Sequence, residues 1–380
     1  MKFNEKLVLN AYIFSLLGVE DLEGLSKSFK DDTILEGVNE EGVSLFHYSI
    51  SSMIFDDTPL DKIKLLEYDN NIVRHTKSLK QPIKWKYFQY LSLLFTEIYL
   101  DRYSASKENL LKNLNEYLEE FNKKVPTKEK ISTFKLESLN KLAFWNATGS
   151  GKTLLMHINI KQFKHYNKSK INKTILITPN AGLSSQHLKE FEDNGFDAEM
   201  FSEVSKGLFE KDIIEVLEIS KLKEQKGETT FAIDSFFDNN LVLIDEGHRG
   251  SSGEEWKTNR DKLSANGFAF EYSATFGQAI GSATAKKRNE LTNEYAKSIL
   301  FDYSYKYFKN DGFGKDYTIL NLKEEPNEEL KYNYLVGSLL SFYQQKKIYI
   351  DNTKKLSIYI PPQAIFSILI PIFINRHRTI

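Results

Sequence analysis

A short glycine-containing run, Ala147–Thr153, constrains the fold of this chain more than any other feature. It lies between an apolar segment, 142–145, and a segment from 154 onward with apolar residues at helical spacing. A strand, a glycine loop and a helix in this order bring backbone N–H groups and the positive end of the helix toward one point. The run therefore predicts a Walker A loop that binds nucleotide phosphates, with Asn146 where the general pattern has a further glycine.

The residue types of the loop suggest separate roles in binding. We expect Lys152 to reach the β- and γ-phosphates and the Thr153 hydroxyl to hold Mg²⁺. The alternative is a flexible loop with a solvated lysine, but it does not explain why glycine, lysine and threonine fall in register between a strand and a helix. The nucleotide-binding residues predicted from the pattern are Thr148, Gly149, Ser150, Gly151, Lys152 and Thr153.

Composition limits the class of protein. The chain has 380 residues, enough for two or three domains, and a formal net charge of −1, so any nucleic-acid binding must come from a local surface. Cysteine is absent, which excludes disulfides and thiolate metal sites and favours a cytoplasmic location. The apolar stretch 364–374 is shorter than the roughly 20 residues that a membrane-spanning helix needs, so we expect no membrane association.

The N-terminal region, 1–131, contains no recognisable motif and is predicted to be mostly helical. Apolar and aromatic residues recur at helical spacing and predict a helix over Trp85–Phe121. The aromatic stripe on this helix could stack on bases, but such stripes are more often core. A polar break at Lys123–Lys130, with Pro126, predicts a domain boundary.

From Lys141 the pattern changes to short apolar runs separated by helices, which predicts an α/β fold with a central parallel sheet over 132–322. Continuous apolar runs such as 241–244 are typical of central strands buried on both faces. A helix from Glu328 to about Ile350 and a tail make up the third region, 323–380. The predicted strands are Leu142–Trp145, Thr174–Thr178, Val216–Ile219, Leu241–Ile244 and Phe268–Tyr272.

A second motif follows the apolar strand 241–244. Asp245 is placed to complete the Mg²⁺ shell, and Glu246 is the candidate base that orients and deprotonates the attacking water. His248 could relay the nucleotide state to other loops. With Lys152, these two carboxylates form the predicted catalytic set.

Two polar loops follow other predicted strands. Ser273 and Thr275 could link two loops by hydrogen bonds. They indicate a functional site only because they follow the first two motifs in the sequence. The loop Thr178, Pro179 and Asn180 could present N–H groups and hydroxyls to a phosphate backbone, although an ordinary capped turn fits the local sequence equally well. The basic stretch Lys161–Lys173 is better explained as a solvated helix end than as a DNA-binding patch.

The order Ala-Thr-Gly-Ser-Gly-Lys-Thr, Thr-Pro-Asn, Asp-Glu-Gly-His, Ser-Ala-Thr resembles motifs I, Ia, II and III of superfamily 2 DEAD/DEAH-box-like helicases. It is closest to the restriction subunit of type III restriction enzymes, and the resemblance covers roughly Lys141–Leu322. The resemblance implies a RecA-like first motor domain, ATP, Mg²⁺ and a DNA track. It assigns phosphate and metal binding to Lys152 and Thr153, metal binding and water activation to Asp245 and Glu246, and coupling to Ser273 and Thr275.

Motors of this kind close two RecA-like domains over one ATP, and the second domain supplies arginine fingers worth about 10³–10⁵ in rate. No run that resembles Gln-x-x-Gly-Arg-x-x-Arg, the pattern that carries these arginines, follows Leu322 in the sequence. We therefore expect a truncated or frameshifted gene product or, as the alternative, a separate chain that supplies the second domain. The resemblance also implies a methyltransferase subunit as partner. The alternatives are a non-catalytic fragment that binds nucleotide or DNA, and a P-loop ATPase unrelated to DNA.

Overall fold

Helices come first along the chain, and the first strand begins at Lys141. The structure is a computed structural model, which describes residues 1–30, 36–54, 58–201, 212–222, 239–246, 261–314 and 328–352. Short 3₁₀ segments lie at Phe3–Lys6, Thr127–Glu129 and Leu136–Asn140. The α-helices before the first strand are α1 Val8–Leu16, α2 Leu22–Lys30, α3 Leu45–Ser51, α4 Lys62–Lys77, α5 Tyr87–Ala105 and α6 Lys107–Lys123.

Strands and helices alternate after that point. A further 3₁₀ segment lies at Ile219–Leu222. The strands are β1 Lys141–Asn146, β2 Thr174–Thr178, β3 Ala198–Met200, β4 Ile214–Glu218, β5 Leu241–Asp245, β6 Phe268–Ser273 and β7 Ile299–Tyr303. The helices are α7 Lys152–Tyr166, α8 Ala181–Asp193, α9 Phe276–Ser282, α10 Ala285–Ser298, α11 Tyr305–Asn310 and α12 Glu328–Asn352.

The predicted helix over Trp85–Phe121 is wrong in one respect, because two helices occupy this segment. The backbone of Ser106 is extended, with φ −164° and ψ 116°, and ends α5. Its hydroxyl accepts the backbone N–H of Asn109 at 3.2 Å and so caps α6. Apolar periodicity continues across the break, which is why the pattern does not reveal it.

The described strands form one sheet in the order β3-β4-β2-β5-β6-β1-β7, and each neighbouring pair is parallel. The predicted α/β, RecA-like fold with a central parallel sheet is therefore confirmed. In a parallel sheet the carboxyl ends of all strands lie at one edge. The carboxyl ends of β5, β6 and β1 thus lie side by side, because these three strands are neighbours.

Both faces of the central strands are buried, as their continuous apolar runs predict. On β2, Leu176 joins the large core on one face, whereas Ile175 and Ile177 pack into a second core on the other. The large core also contains the apolar faces of α1, α5 and α7.

The chain divides into two compact units, Met1–Lys315 and Asp316–Ile380. The first unit holds the N-terminal helices and the sheet together, with α5 packed against α7 and α1 against β7. In the second unit the structure describes α12. The sequence-based boundaries at 131 and 322 stay predictions.

Candidate functional site

The glycine loop after β1 has the backbone that phosphate binding requires. Gly149 and Gly151 both have left-handed φ values, 86° and 92°, which only glycine adopts readily. The first intrahelical bond of α7 runs from the Leu155 N–H to the Gly151 carbonyl. The N–H groups at the start of α7 therefore have no acceptor within the helix, and they leave its positive end open to an anion.

An ion pair brings the first two motifs together at the carboxyl edge of the sheet. Lys152 Nζ lies 2.8 Å from Glu246 Oε1, and both side chains are mostly buried. Glu246 has a left-handed φ of 54°, a conformation that costs a non-glycine residue about 1–2 kcal/mol. The predicted catalytic residues Lys152, Asp245 and Glu246 thus lie at one place, with Asp245 ending β5 immediately before Glu246.

Both carboxylate oxygens of Asp245 are hydrogen-bonded. Oδ1 accepts the Glu246 N–H at 3.0 Å, and Oδ2 lies 3.0 Å from Nε2 of His187. His187 comes from α8 and is 3% exposed. Sequence reasoning did not single out His187, because one histidine on a helix face carries no pattern that separates a core residue from a site residue.

The predicted coupling residue Ser273 contacts the candidate base. Its hydroxyl lies 3.4 Å from Glu246 Oε2 and accepts the Thr275 N–H at 3.0 Å. Thr275 is the residue before α9, so the Ser273 hydroxyl also fixes the backbone where that helix begins. The third coupling residue, His248, lies outside the described residues.

The loop predicted to contact DNA contains one buried and one exposed side chain at its ends. Thr178 is fully buried, and its hydroxyl lies 2.6 Å from Ser184 Oγ. Asn180 is exposed, and its Oδ1 accepts the Leu183 N–H at 3.0 Å, so it caps α8. Pro179 between them is half-buried. Contact between this loop and DNA stays a prediction.

The N-terminal helices support the glycine loop through Gln89, a residue that sequence reasoning missed. Its Nε2 donates to the Ser150 carbonyl at 2.9 Å, and its Oε1 accepts the Lys86 N–H at 2.9 Å. A Cβ atom placed on Gly151 would lie 2.4 Å from the same Nε2. Gln89 is 61 residues away from Ser150 along the chain, and no local spacing connects it with the loop.

The residues present fit a nucleotide with its metal ion. The hydroxyl of Ser150, within the glycine loop, is buried and has no hydrogen-bond partner among the described residues. Thr153, in the first turn of α7, and Asp245 supply a hydroxyl and a carboxylate, which are the oxygen ligands that Mg²⁺ prefers. Thr153 and Asp245 could therefore hold the metal, and Lys152 could hold the phosphates.

Three lysines of the basic stretch 161–173 have partners within the fold. Lys164 pairs with Asp212 at 2.5 Å, and Lys173 pairs with Glu215 at 2.7 Å. The Lys161 amine lies over the Phe196 ring, 4.7 Å from its centroid. The preference for a solvated helix end over a DNA-binding patch stays a prediction.

Part of the chain matches a known protein family. Residues 104–278 match the family model described as type III restriction enzyme, res subunit, and this range contains the glycine loop, the Asp245–Glu246 pair and the Ser273–Thr275 loop. The comparison with curated proteins found no match. Among the helices that the structure describes, none combines the length and the hydropathy needed to cross a bilayer.

Proposed function

We propose that this chain, whose residues 104–278 belong to the res-subunit family of type III restriction enzymes, binds ATP with Mg²⁺. We further propose that it couples ATP hydrolysis to DNA. The family is one of helicase-type, ATP-dependent nucleic-acid motors. The observation that carries the proposal is the 2.8 Å contact between Lys152 and Glu246, which joins the phosphate loop to the carboxylate pair.

Lys152 has two uses for its charge in this arrangement. Without nucleotide it neutralises Glu246; with nucleotide it faces phosphate oxygens, to which a lysine ammonium is a strong donor. Moving the Lys152 amine from Glu246 to the phosphates would leave the carboxylate able to accept a proton from water. Magnesium, when bound, would neutralise charge on the phosphate oxygens, with Thr153 and Asp245 as its protein ligands.

Ser273 connects this chemistry to the neighbouring strand. Its hydroxyl contacts Glu246 and is fixed by the Thr275 N–H, so a shift of the loop after β6 would change the surroundings of the candidate base. We propose that DNA contacts act on turnover through such loop shifts, with Thr178–Asn180 as one contact segment.

The experiment measures binding of a fluorescent ATP analogue and ATP turnover, each with and without duplex DNA. Lys152→Ala should lower nucleotide affinity about 10- to 100-fold, because it removes charge-assisted hydrogen bonds to phosphate. Lys164→Ala is the matched control: it removes a lysine near the other end of α7 that pairs with Asp212, and it should leave affinity unchanged.

The outcomes separate the possible functions. Unchanged affinity in Lys152→Ala would refute the nucleotide site. Turnover that does not respond to DNA would refute the coupling and favour an ATPase unrelated to DNA. Binding that depends on Lys152, without any turnover, would favour a non-catalytic nucleotide-binding chain.

A further inference from the structure

The buried contact between His187 and Asp245 links α8 to the candidate magnesium ligand. His187 Nε2 lies 3.0 Å from Asp245 Oδ2, and the two side chains are 4% and 9% exposed. A hydrogen bond in such a shielded place is stronger than the same bond in water. The contact is therefore able to hold the carboxylate in one orientation.

The direction of the hydrogen bond follows from its partner. A carboxylate only accepts, so Nε2 must carry the proton and donate to Asp245. The other ring nitrogen, Nδ1, is buried and has no hydrogen-bond partner among the described residues. In the described part of the chain, the bond to Asp245 is thus the polar contact that orients the imidazole ring. Phe191, one turn further along α8, packs near it with ring centroids 6.5 Å apart.

The two oxygens of Asp245 are fixed from different sides. The Glu246 N–H holds Oδ1 from the same chain segment, whereas His187 holds Oδ2 from α8. Without the His187 donor, the local backbone bond would be the one remaining hydrogen bond, among the described residues, that restrains rotation of the carboxylate about its Cβ–Cγ bond. Hydrogen bonds to a metal-ligating carboxylate typically account for about 10–100-fold in metal affinity or activity.

We propose that His187 is a positioning residue that sets the Asp245 carboxylate for magnesium in the nucleotide complex. This inference rests on the proposed function, because it presupposes that Asp245 holds the metal. It adds that α8, the helix that starts at the Thr178–Asn180 loop, contributes to the metal site through Asp245. His187 lies seven residues after Asn180, about two helical turns along α8.

The test compares metal binding with nucleotide binding in the same variants. His187→Leu removes the donor and introduces an apolar side chain of moderate size. His187→Met is a second apolar variant in case the first folds poorly. His187→Gln keeps an N–H donor near the position of Nε2. Ser184→Ala is the matched control, since it removes another buried polar group of α8 without touching Asp245.

Two measurements are made on the full chain after circular dichroism has shown that each variant is folded. Mn²⁺ binding is titrated by electron paramagnetic resonance in the presence of ATP, and affinity for a fluorescent ATP analogue is measured in EDTA. His187→Leu should weaken Mn²⁺ binding about 10- to 100-fold and leave metal-free nucleotide affinity within about twofold. His187→Gln should recover most of the metal affinity, and Ser184→Ala should match the wild type.

Three results would count against the inference. Unchanged Mn²⁺ affinity in His187→Leu and His187→Met would overturn it outright. An equal loss of metal-dependent and metal-free binding, not recovered by His187→Gln, would make His187 a residue of the fold only. Wild-type chain that binds no nucleotide under either condition would refute the proposed function itself, and the inference with it.

Discussion

Replacement of Gly151 by alanine tests how the N-terminal helices support the glycine loop. Gly151 precedes α7 with a φ of 92°, and the added Cβ atom would lie 2.4 Å from Gln89 Nε2. That distance is far below an ordinary van der Waals contact. The alanine must therefore either displace the Gln89 side chain or move the loop.

Two costs contribute to the expected loss of stability. A left-handed conformation costs an alanine about 1–2 kcal/mol. Displacing Gln89 breaks its 2.9 Å bond to the Ser150 carbonyl, which contributes about 1 kcal/mol net. We expect Gly151→Ala to lower the free energy of unfolding of the first compact unit by about 2–3 kcal/mol.

A double-mutant cycle separates the two costs. In a Gln89→Ala background the Cβ atom added at position 151 meets no amide, so Gly151→Ala should cost only the backbone part. The coupling free energy between the two positions should be about 1 kcal/mol. Gly312→Ala is the control for the backbone cost alone, because Gly312 has a φ of 80° and nothing within 4 Å of the added Cβ.

The assay is urea unfolding followed by circular dichroism for the wild type, the two single variants, the double variant and the Gly312→Ala control. Binding of a fluorescent nucleotide, measured on the same samples, reports whether the loop keeps the proposed nucleotide affinity. Additive costs of Gly151→Ala and Gln89→Ala would refute the reasoning, since they would mean that Gln89 does not limit the space at Gly151.

Three further predictions follow from other contacts. Glu246→Gln should keep nucleotide affinity within a few-fold and lower turnover about 10²- to 10⁴-fold, because the amide cannot take a proton from water; turnover at the wild-type rate would contradict this. Ser273→Ala removes the hydroxyl next to Glu246, so it should reduce stimulation of turnover by DNA without changing nucleotide affinity, and unchanged stimulation would exclude the coupling role. Burial raises the pKa of Glu97 from its ordinary 4.5 to about 7, so its contribution to stability is fully present below about pH 4.5 and is lost as the pH rises through about 7. The unfolding free energy of the wild type relative to Glu97→Gln should therefore fall by about 3 kcal/mol over that range in urea titrations, and a difference independent of pH would exclude ionisation of Glu97.

The sequence alone is sufficient to predict the features that depend on a local pattern of residues. The glycine loop and the Asp245–Glu246 pair each follow an apolar run, and parallel pairing then brings the ends of those runs to one edge. Strand β3 was missed because it has three residues, Ala198–Met200, which are partly or largely exposed and form no apolar run. Strand β7 was missed because its apolar run is interrupted by Asp302, which the fold buries and whose Oδ1 accepts the Ser304 N–H at 2.9 Å.

The residues that could not be predicted are those that act across large separations in sequence. Gln89 and His187 each make one hydrogen bond to a motif residue, and a single amide or imidazole on a helix has many possible partners until the helices are packed. Ser106 was missed for a different reason, since apolar periodicity continues through the helix break. In each case tertiary contacts decide what the local sequence leaves open.

The helix α5 is part of the support of the site as well as of the N-terminal region. At its first turn Gln89 holds the glycine loop, and further along Glu97 Oε1 accepts from Gln162 at 2.7 Å. Gln162 Oε1 in turn accepts a hydrogen bond from Asn159 at 2.9 Å. Asn159 Oδ1 accepts the hydroxyl of Tyr272 at 2.7 Å, and Tyr272 directly precedes Ser273.

These buried bonds connect α5 with α7 and with the end of β6. A displacement of α5 would therefore shift the glycine loop through the Gln89 hydrogen bond. It would also shift the loop that contains Ser273 through the hydrogen bonds from Glu97 to Tyr272. For this reason α5, although it lies in a region without a motif of its own, must keep its packing if the candidate nucleotide site is to keep its geometry.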